Sequence, residues 1–177
     1  LQGLLAHELF HILSRNDLEV RDAIYGVFGF RPRPRIDLPE PFLSRRITNP
    51  DAPQIRHSIE VQVGGRAVEV APVLYSRAAR FDPAEADSFF DYLTFKLMAV
   101  GRVDGAWVPL MTNGAPQFFG VGDVGGFFEQ IGRNTGYIIH PEELAADNFV
   151  MMLDGRADVP NPDLLSKMRT ILSGIVK

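Results

Sequence analysis

Residues 5–13, with the sequence LAHELFHIL, predict a helix that carries an HExxH motif near the start of the 177-residue chain. Apolar residues recur at helical spacing in two rows, Leu5, Leu9 and Ile12 in one and Ala6, Phe10 and Leu13 in the other. The helix is therefore expected to run from residue 1 to about residue 14. Because it has so little polar surface, we expect it to be buried.

Two histidines and a glutamate on this helix predict a metal site. His7 and His11 are four residues apart, so both imidazoles lie on one face and can bind a single ion. Glu8 projects about 100° further round the helix, where it can act as a base on a metal-bound water. A chance pair of buried histidines is the alternative. It is disfavoured because burying such groups unpaired costs about 1–3 kcal/mol each.

A third ligand is needed, since catalytic zinc sites combine three protein ligands with one water. Glu143 is the first candidate, within HPEELAADNF at residues 140–149. Pro141 suits the first helical position, so a helix is predicted from Pro141 to about Leu153. Asp147 then lies on the same face as Glu143 and can accept the second ring N–H of a ligating histidine.

HExxH followed by a helical ExxxD resembles the gluzincin metallopeptidases, for which thermolysin is the model. The resemblance covers these two helices. It implies a zinc cofactor, with His7, His11 and Glu143 as ligands, Asp147 as the orienting carboxylate and Glu8 as the general base. It also implies a zincin-like α+β fold in which a β-rich insertion separates the HExxH helix from the ExxxD helix. Hydrolysis of a peptide or protein substrate is the expected activity.

Other third ligands remain open. Residues 7–17, HELFHILSRND, are similar to the HExxHxxGxxD pattern of the metzincins, which would make Asp17 the ligand. Ser14 stands where that pattern has glycine, and Asp17 also suits a helix cap. Glu142 and His140 are further candidates. Tyr137 and His140, close to Glu143 in sequence, are candidate catalytic groups that would stabilise the oxyanion formed during hydrolysis.

The rest of the chain predicts a β-rich middle and a last helix. Six prolines between residues 31 and 54 predict an extended Pro-rich loop. Residues 55–63 alternate in polarity before Gly64-Gly65, which predicts a hairpin within a β-hairpin insertion over residues 55–111. A second hairpin is expected across residues 101–105, and a helix from Pro162 to Ile175. Residues 1–177 are expected to form a single catalytic domain, a fragment of a longer chain because no initiator Met is present.

Composition excludes several classes of protein. The chain has no cysteine, so neither disulfides nor a Cys-ligated zinc site can form. The net charge is −4 and no basic run is present, so nucleic acid is not an expected partner. No apolar run approaches the roughly 20 residues of a membrane span. The compartment stays open, with a secreted or periplasmic location slightly favoured over the cytoplasm. The alternative functions are a catalytically silent binding or regulatory domain and a zinc amidase for non-peptide substrates.

Overall fold

The computed structural model describes residues 1–80, 82–85 and 87–175. This part of the chain separates into two compact units, Leu1–Pro32 with Gly125–Lys177, and Arg33–Val124. The sequence predicts one domain over residues 1–177. Four residues of that range, 81, 86, 176 and 177, lie outside the described residues. We call the first unit the helical unit and the second the sheet unit.

Six α-helices, eight strands and one 3-10 helix, Phe89–Tyr92, make up the described elements. The helices are α1 Gln2–Asn16, α2 Leu18–Val27, α3 Phe42–Arg45, α4 Phe127–Ile131, α5 Pro141–Leu153 and α6 Pro162–Ile175. The strands are β1 Arg31–Ile36, β2 Ile55–Val63, β3 Arg66–Ser76, β4 Leu93–Val103, β5 Ala106–Pro109, β6 Met111–Thr112, β7 Ala115–Pro116 and β8 Phe118–Phe119.

In the helical unit, α1 packs on α5, and α6 packs on both α5 and α2. The rings of Phe10 and Phe149 meet with centroids 5.5 Å apart, which joins α1 to α5. The boundary between α1 and α2 is set by Asp17, whose backbone is extended and whose side chain accepts a hydrogen bond from Val20 N. The predicted α5 and α6 are confirmed with the expected bounds, because Pro141 begins α5 at the first helical position.

The prediction that α1 is buried is wrong. Its buried residues are Phe10, His11 and Ser14, while Leu5 and Leu9 are 60% and 52% exposed. The reason is geometric: the face that carries both histidines turns towards α5, and the row of Leu5, Leu9 and Ile12 lies on another side of the helix. The polar residues His11 and Ser14 are therefore buried among partners, while part of the apolar surface of α1 is exposed to solvent.

The sheet unit holds a six-stranded sheet in the order β1-β2-β3-β4-β5, with β8 also paired to β4, and a two-stranded sheet of β6 and β7. The β2–β3, β3–β4, β4–β5 and β4–β8 pairs are antiparallel. Gly64 and Gly65 both have positive φ, as a tight turn requires, and Val63 pairs with Arg66 across them. One side of the sheet buries Ile36, Val73 and Met98 in a common apolar cluster.

The prediction of a loop throughout residues 31–54 is wrong at two places. Arg31–Ile36 forms β1, and Phe42–Arg45 forms the short helix α3. Because β1 stands at one end of the strand order, it is an edge strand, where proline is tolerated even though it cannot donate to the ladder. The prolines of RPRPRI indicated a loop, although this segment forms the edge strand β1.

The predicted zincin-like α+β fold is contradicted. The strands form a nearly closed antiparallel sheet within their own unit. Among the described residues of the helical unit, only the first two residues of β1 are extended as a strand. The two-helix resemblance carried no information on strand order, so it could not predict this sheet. No helix in the described part of the chain has both the length and the apolar character needed to cross a bilayer.

Candidate metal centre

The two motif histidines lie on the α5 side of α1. One helical turn separates them, and their ring centroids are 4.7 Å apart in an edge-to-face arrangement. His11 is 3% exposed, and His7 is partly buried. The helix therefore holds both imidazoles side by side, mostly away from solvent.

Glu143 on α5 meets both of these rings. Its Oε2 is 3.1 Å from Nε2 of His7, and its Oε1 is 3.8 Å from Nε2 of His11. One ligand atom from each of the three residues lies within 4.8 Å of the others. Glu143 is 8% exposed. The structure thus brings together the three residues that the sequence predicts as ligands.

The other ring nitrogens face different carboxylates. Nδ1 of His7 lies 3.3 Å from Oδ1 of Asp147, the residue predicted to orient a histidine. Thr135 donates a hydrogen bond from Oγ1 to Asp147 Oδ2. Nδ1 of His11 lies 2.8 Å from Oε1 of Glu142. Because Nδ1 of His11 can donate to Glu142, its Nε2 can present a lone pair towards Glu143. Nε2 of His7 forms a hydrogen bond with Glu143 Oε2, and a metal ion at this nitrogen would place the ring proton on Nδ1, towards Asp147.

These residues fit a zinc ion. Tetrahedral zinc with bonds of about 2.0–2.1 Å places its donor atoms roughly 3.3 Å apart. Nε2 of His7 is 3.1 Å from Oε2 of Glu143, and Nε2 of His11 is 3.8 Å from the other oxygen, Oε1; the two distances lie on either side of that value. Two imidazoles and one carboxylate are also a known donor set of catalytic zinc. The three ligand atoms lie within 4.8 Å of one another, so the widest of their separations would have to shorten for one tetrahedral ion to bind all three.

The remaining candidate ligands lie elsewhere. Asp17 caps α2 by accepting from Val20 N at 3.0 Å and is not part of the cluster. Glu142 contacts the Nδ1 side of His11, which is opposite the nitrogen that faces Glu143. His140 caps α5, where its Nδ1 accepts a hydrogen bond from Glu142 N at 3.1 Å. The structure therefore favours Glu143 over these three.

Two predicted catalytic groups are accessible to solvent. Glu8 is exposed on the same helix as both histidines. Tyr137 is 42% exposed. Partial burial, followed by the negative charges of Glu143 and Asp147, raises the pKa of Tyr137 above its ordinary value. Its hydroxyl thus lies within electrostatic range of the site and stays protonated at neutral pH. The sequence predicts His140 as a catalytic group, and in the structure its side chain caps the first turn of α5.

A buried network around Glu142 was missed by sequence reasoning. Ser14 donates to Oε1 of Glu142 and Tyr25 donates to its Oε2, and the Glu142 side chain is fully buried. Ser14 lies three residues after His11, so its helical phase was a usable signal. Tyr25 and Thr135 do not lie on the helix of the histidines and belong to no recognisable motif. Nothing in the sequence therefore identifies them as parts of the site.

Comparisons of the chain with models of known protein families, with curated proteins and with solved structures found no match. The case for a function therefore depends on the geometry of His7, His11 and Glu143 and on the residues around them.

Proposed function

We propose that this chain is a zinc-dependent hydrolase that cleaves peptide bonds. The observation that carries the proposal is the convergence of His7, His11 and Glu143, with a ligand atom from each within 4.8 Å of the others. The ligand pattern is the one that the gluzincin resemblance implies, although the fold differs from that of the zincins. Glu8, which is exposed and follows His7 in the chain, would supply the base that hydrolysis needs.

The chemistry divides among a few groups. A bound zinc ion lowers the pKa of water and polarises a carbonyl group. Glu8 accepts the proton of the attacking water and then donates it to the leaving amine. Tyr137 donates a hydrogen bond from its protonated hydroxyl to the oxyanion. Asp147 lies 3.3 Å from Nδ1 of His7, where it can orient the ring, and Thr135 donates a hydrogen bond to Asp147 in turn.

The function is tested with the zinc-loaded chain and a pool of quenched fluorescent peptides of randomised sequence. We expect cleavage that a zinc chelator abolishes and that added zinc restores. Glu8→Gln should lower the rate by about 10²–10⁴-fold, because it removes the proton acceptor, while the zinc content stays unchanged. Glu19→Gln is the matched control, since Glu19 is an exposed glutamate on the neighbouring helix α2, and it should cleave at the parental rate.

Two results would contradict the proposal. Cleavage by Glu8→Gln at the parental rate would remove the proposed base and point to a contaminating peptidase. Zinc binding without cleavage of any peptide would contradict a peptidase. If the chain binds zinc and hydrolyses simple amides but no peptide, it is a zinc amidase. If it binds zinc and hydrolyses neither amides nor peptides, it is a silent binding domain.

A further inference from the structure

We propose that Glu142, held by Ser14 and Tyr25, is a positioning residue that keeps the proton of neutral His11 on Nδ1 and so turns the Nε2 lone pair towards Glu143. The inference deepens the proposed function and rests on it for the role of the metal. It assigns each histidine a carboxylate of its own, Asp147 for His7 and Glu142 for His11.

The contacts of Glu142 explain how a carboxylate is accommodated in the core. Its side chain is fully buried, and burying a carboxylate is costly unless its oxygens have partners. Oε1 lies 2.8 Å from His11 Nδ1 and also accepts from Ser14 Oγ, while Oε2 accepts from the hydroxyl of Tyr25. Three donors from α1 and α2 therefore converge on one side chain of α5.

The donors set the direction of each hydrogen bond. Burial, and then the charge of Glu142, raises the pKa of Tyr25 far above its ordinary value, so Tyr25 remains a donor. A carboxylate accepts only, which leaves His11 Nδ1 as the donor at 2.8 Å. Because the two ring nitrogens lie on opposite sides, the Nε2 of neutral His11 then faces Glu143 as a lone-pair donor, 3.8 Å from its Oε1.

The adjacent glutamates of α5 thus have separate roles. Glu142 and Glu143 are consecutive, so their side chains point about 100° apart round the helix. Glu142 reaches the Nδ1 side of His11, and Glu143 reaches the Nε2 side of both histidines. Such outer contacts commonly change metal affinity by about 10–100-fold when they are removed.

The test measures the His11 ring directly and zinc affinity separately. Ring ¹⁵N chemical shifts are recorded in the metal-free protein at pH 8, where an ordinary histidine is neutral. Zinc dissociation constants are measured by competition with a chromophoric chelator. The variants are Glu142→Ala, Glu142→Gln and Tyr25→Phe. The matched control is Asn148→Ala, which removes another buried, hydrogen-bonded side chain of α5 that bonds Leu144 O and Asn134 instead of His11.

We expect parental His11 to be protonated at Nδ1, and Glu142→Ala to lose that preference and weaken zinc binding about 10–100-fold. Glu142→Gln keeps an amide oxygen for His11 and Ser14 and donates its N–H to Tyr25, so it should retain the tautomer and most of the affinity. Tyr25→Phe should lie between the two. Asn148→Ala should lose stability but match the parent in both readouts.

The outcomes separate the two proposals. If Glu142→Ala matches Asn148→Ala in ring shifts and in zinc affinity, the positioning role is overturned while the metal site stands. If Glu142→Ala does not fold, Tyr25→Phe decides. Because Tyr25 holds Oε2 of Glu142, parental ring shifts and parental zinc affinity in Tyr25→Phe overturn the proposal. A parent that binds no zinc but shows the Glu142-dependent tautomer overturns the proposed function and leaves the role of Glu142 in place.

Discussion

The candidate site depends, residue by residue, on which nitrogen of each histidine faces which carboxylate. Nε2 of His7 and Nε2 of His11 face Glu143, at 3.1 and 3.8 Å. Their Nδ1 atoms face Asp147 and Glu142 instead. Because of this division the cluster has the arrangement that a metal site needs, with one nitrogen of each histidine towards Glu143 and the other towards a separate carboxylate.

Tyr137 provides a prediction at the same scale. Tyr137→Phe should lower kcat by about 10²–10³-fold with zinc content unchanged, because one hydrogen-bond donor to the oxyanion is lost. Since the pKa of Tyr137 is raised above its ordinary value, the parental hydroxyl should remain a donor until the pH exceeds about 10. Steady-state kinetics between pH 6 and pH 10 measure both effects.

The control for this variant is Tyr75→Phe, which removes the hydroxyl of a half-buried tyrosine in the sheet unit. It should leave kcat unchanged. A parental kcat in Tyr137→Phe would exclude Tyr137 from the reaction, and an activity loss well below pH 10 in the parent that disappears in Tyr137→Phe would contradict the direction of its pKa.

Sequence reasoning predicted the members of the cluster better than their surroundings. His7 and His11 could be paired because helical spacing fixes which side chains share a face, whereas Glu143 was one of several candidates and was favoured because it has Asp147 four residues later. The buried partners Tyr25 and Thr135 could not, since they reach the site through tertiary packing that leaves no local pattern. Asp17 remained ambiguous because a ligand and a helix cap can both be an aspartate at that position.

Among the helices, the structure gives Asp17 a capping role that can be tested apart from metal binding. Asp17→Ala should destabilise the protein by about 1 kcal/mol, because Val20 N loses its side-chain acceptor at the start of α2. Zinc content should stay at the parental level. Thermal unfolding and elemental analysis of the same preparation measure the two quantities.

Asn16→Ala is the control, since the adjacent Asn16 side chain is exposed and bonds back to Ile12 O within α1. It should lower stability less than Asp17→Ala does. Loss of zinc from Asp17→Ala in a folded protein would instead make Asp17 a ligand and move the chain towards the metzincin pattern.

The secondary-structure elements differ in how much sequence reveals of them. Pro141 predicted the first residue of α5, and Gly64-Gly65 predicted the turn between β2 and β3. Both depend on local backbone preferences. The strand β1 was hidden because its prolines are acceptable only at a sheet edge, and edge position is a property of the assembled sheet.

Over the whole molecule, the described chain separates into a helical unit and a sheet unit, and all the proposed ligands belong to the helical unit. Zinc that binds the folded site stabilises it by mass action, by about 2.7 kcal/mol at 100 times the dissociation constant. Amide hydrogen exchange should therefore slow most in α1 and α5 when zinc is added, and less in β2, β3 and β4. Equal slowing in both units, or slowing confined to the sheet, would contradict this location.

The fold class was the part that the sequence could not predict. The gluzincin resemblance rests on two helices, whose local spacing can specify ligands but not the order of distant strands. Strand order depends on pairings such as Val70 with Ala99, between residues far apart in the chain. Local spacing on two helices can therefore predict the members of this site without predicting the fold around it.

The most direct test of the account is the zinc content of the purified chain and of Glu143→Ala after saturation with zinc and removal of the excess. We expect about one zinc per parental chain, as three converging ligands imply, and none in Glu143→Ala. Glu129→Ala, which removes an exposed glutamate of α4, should keep the parental content. A Glu143→Ala protein that retains zinc as the parent does, or a parent that binds none, would contradict the proposed metal centre.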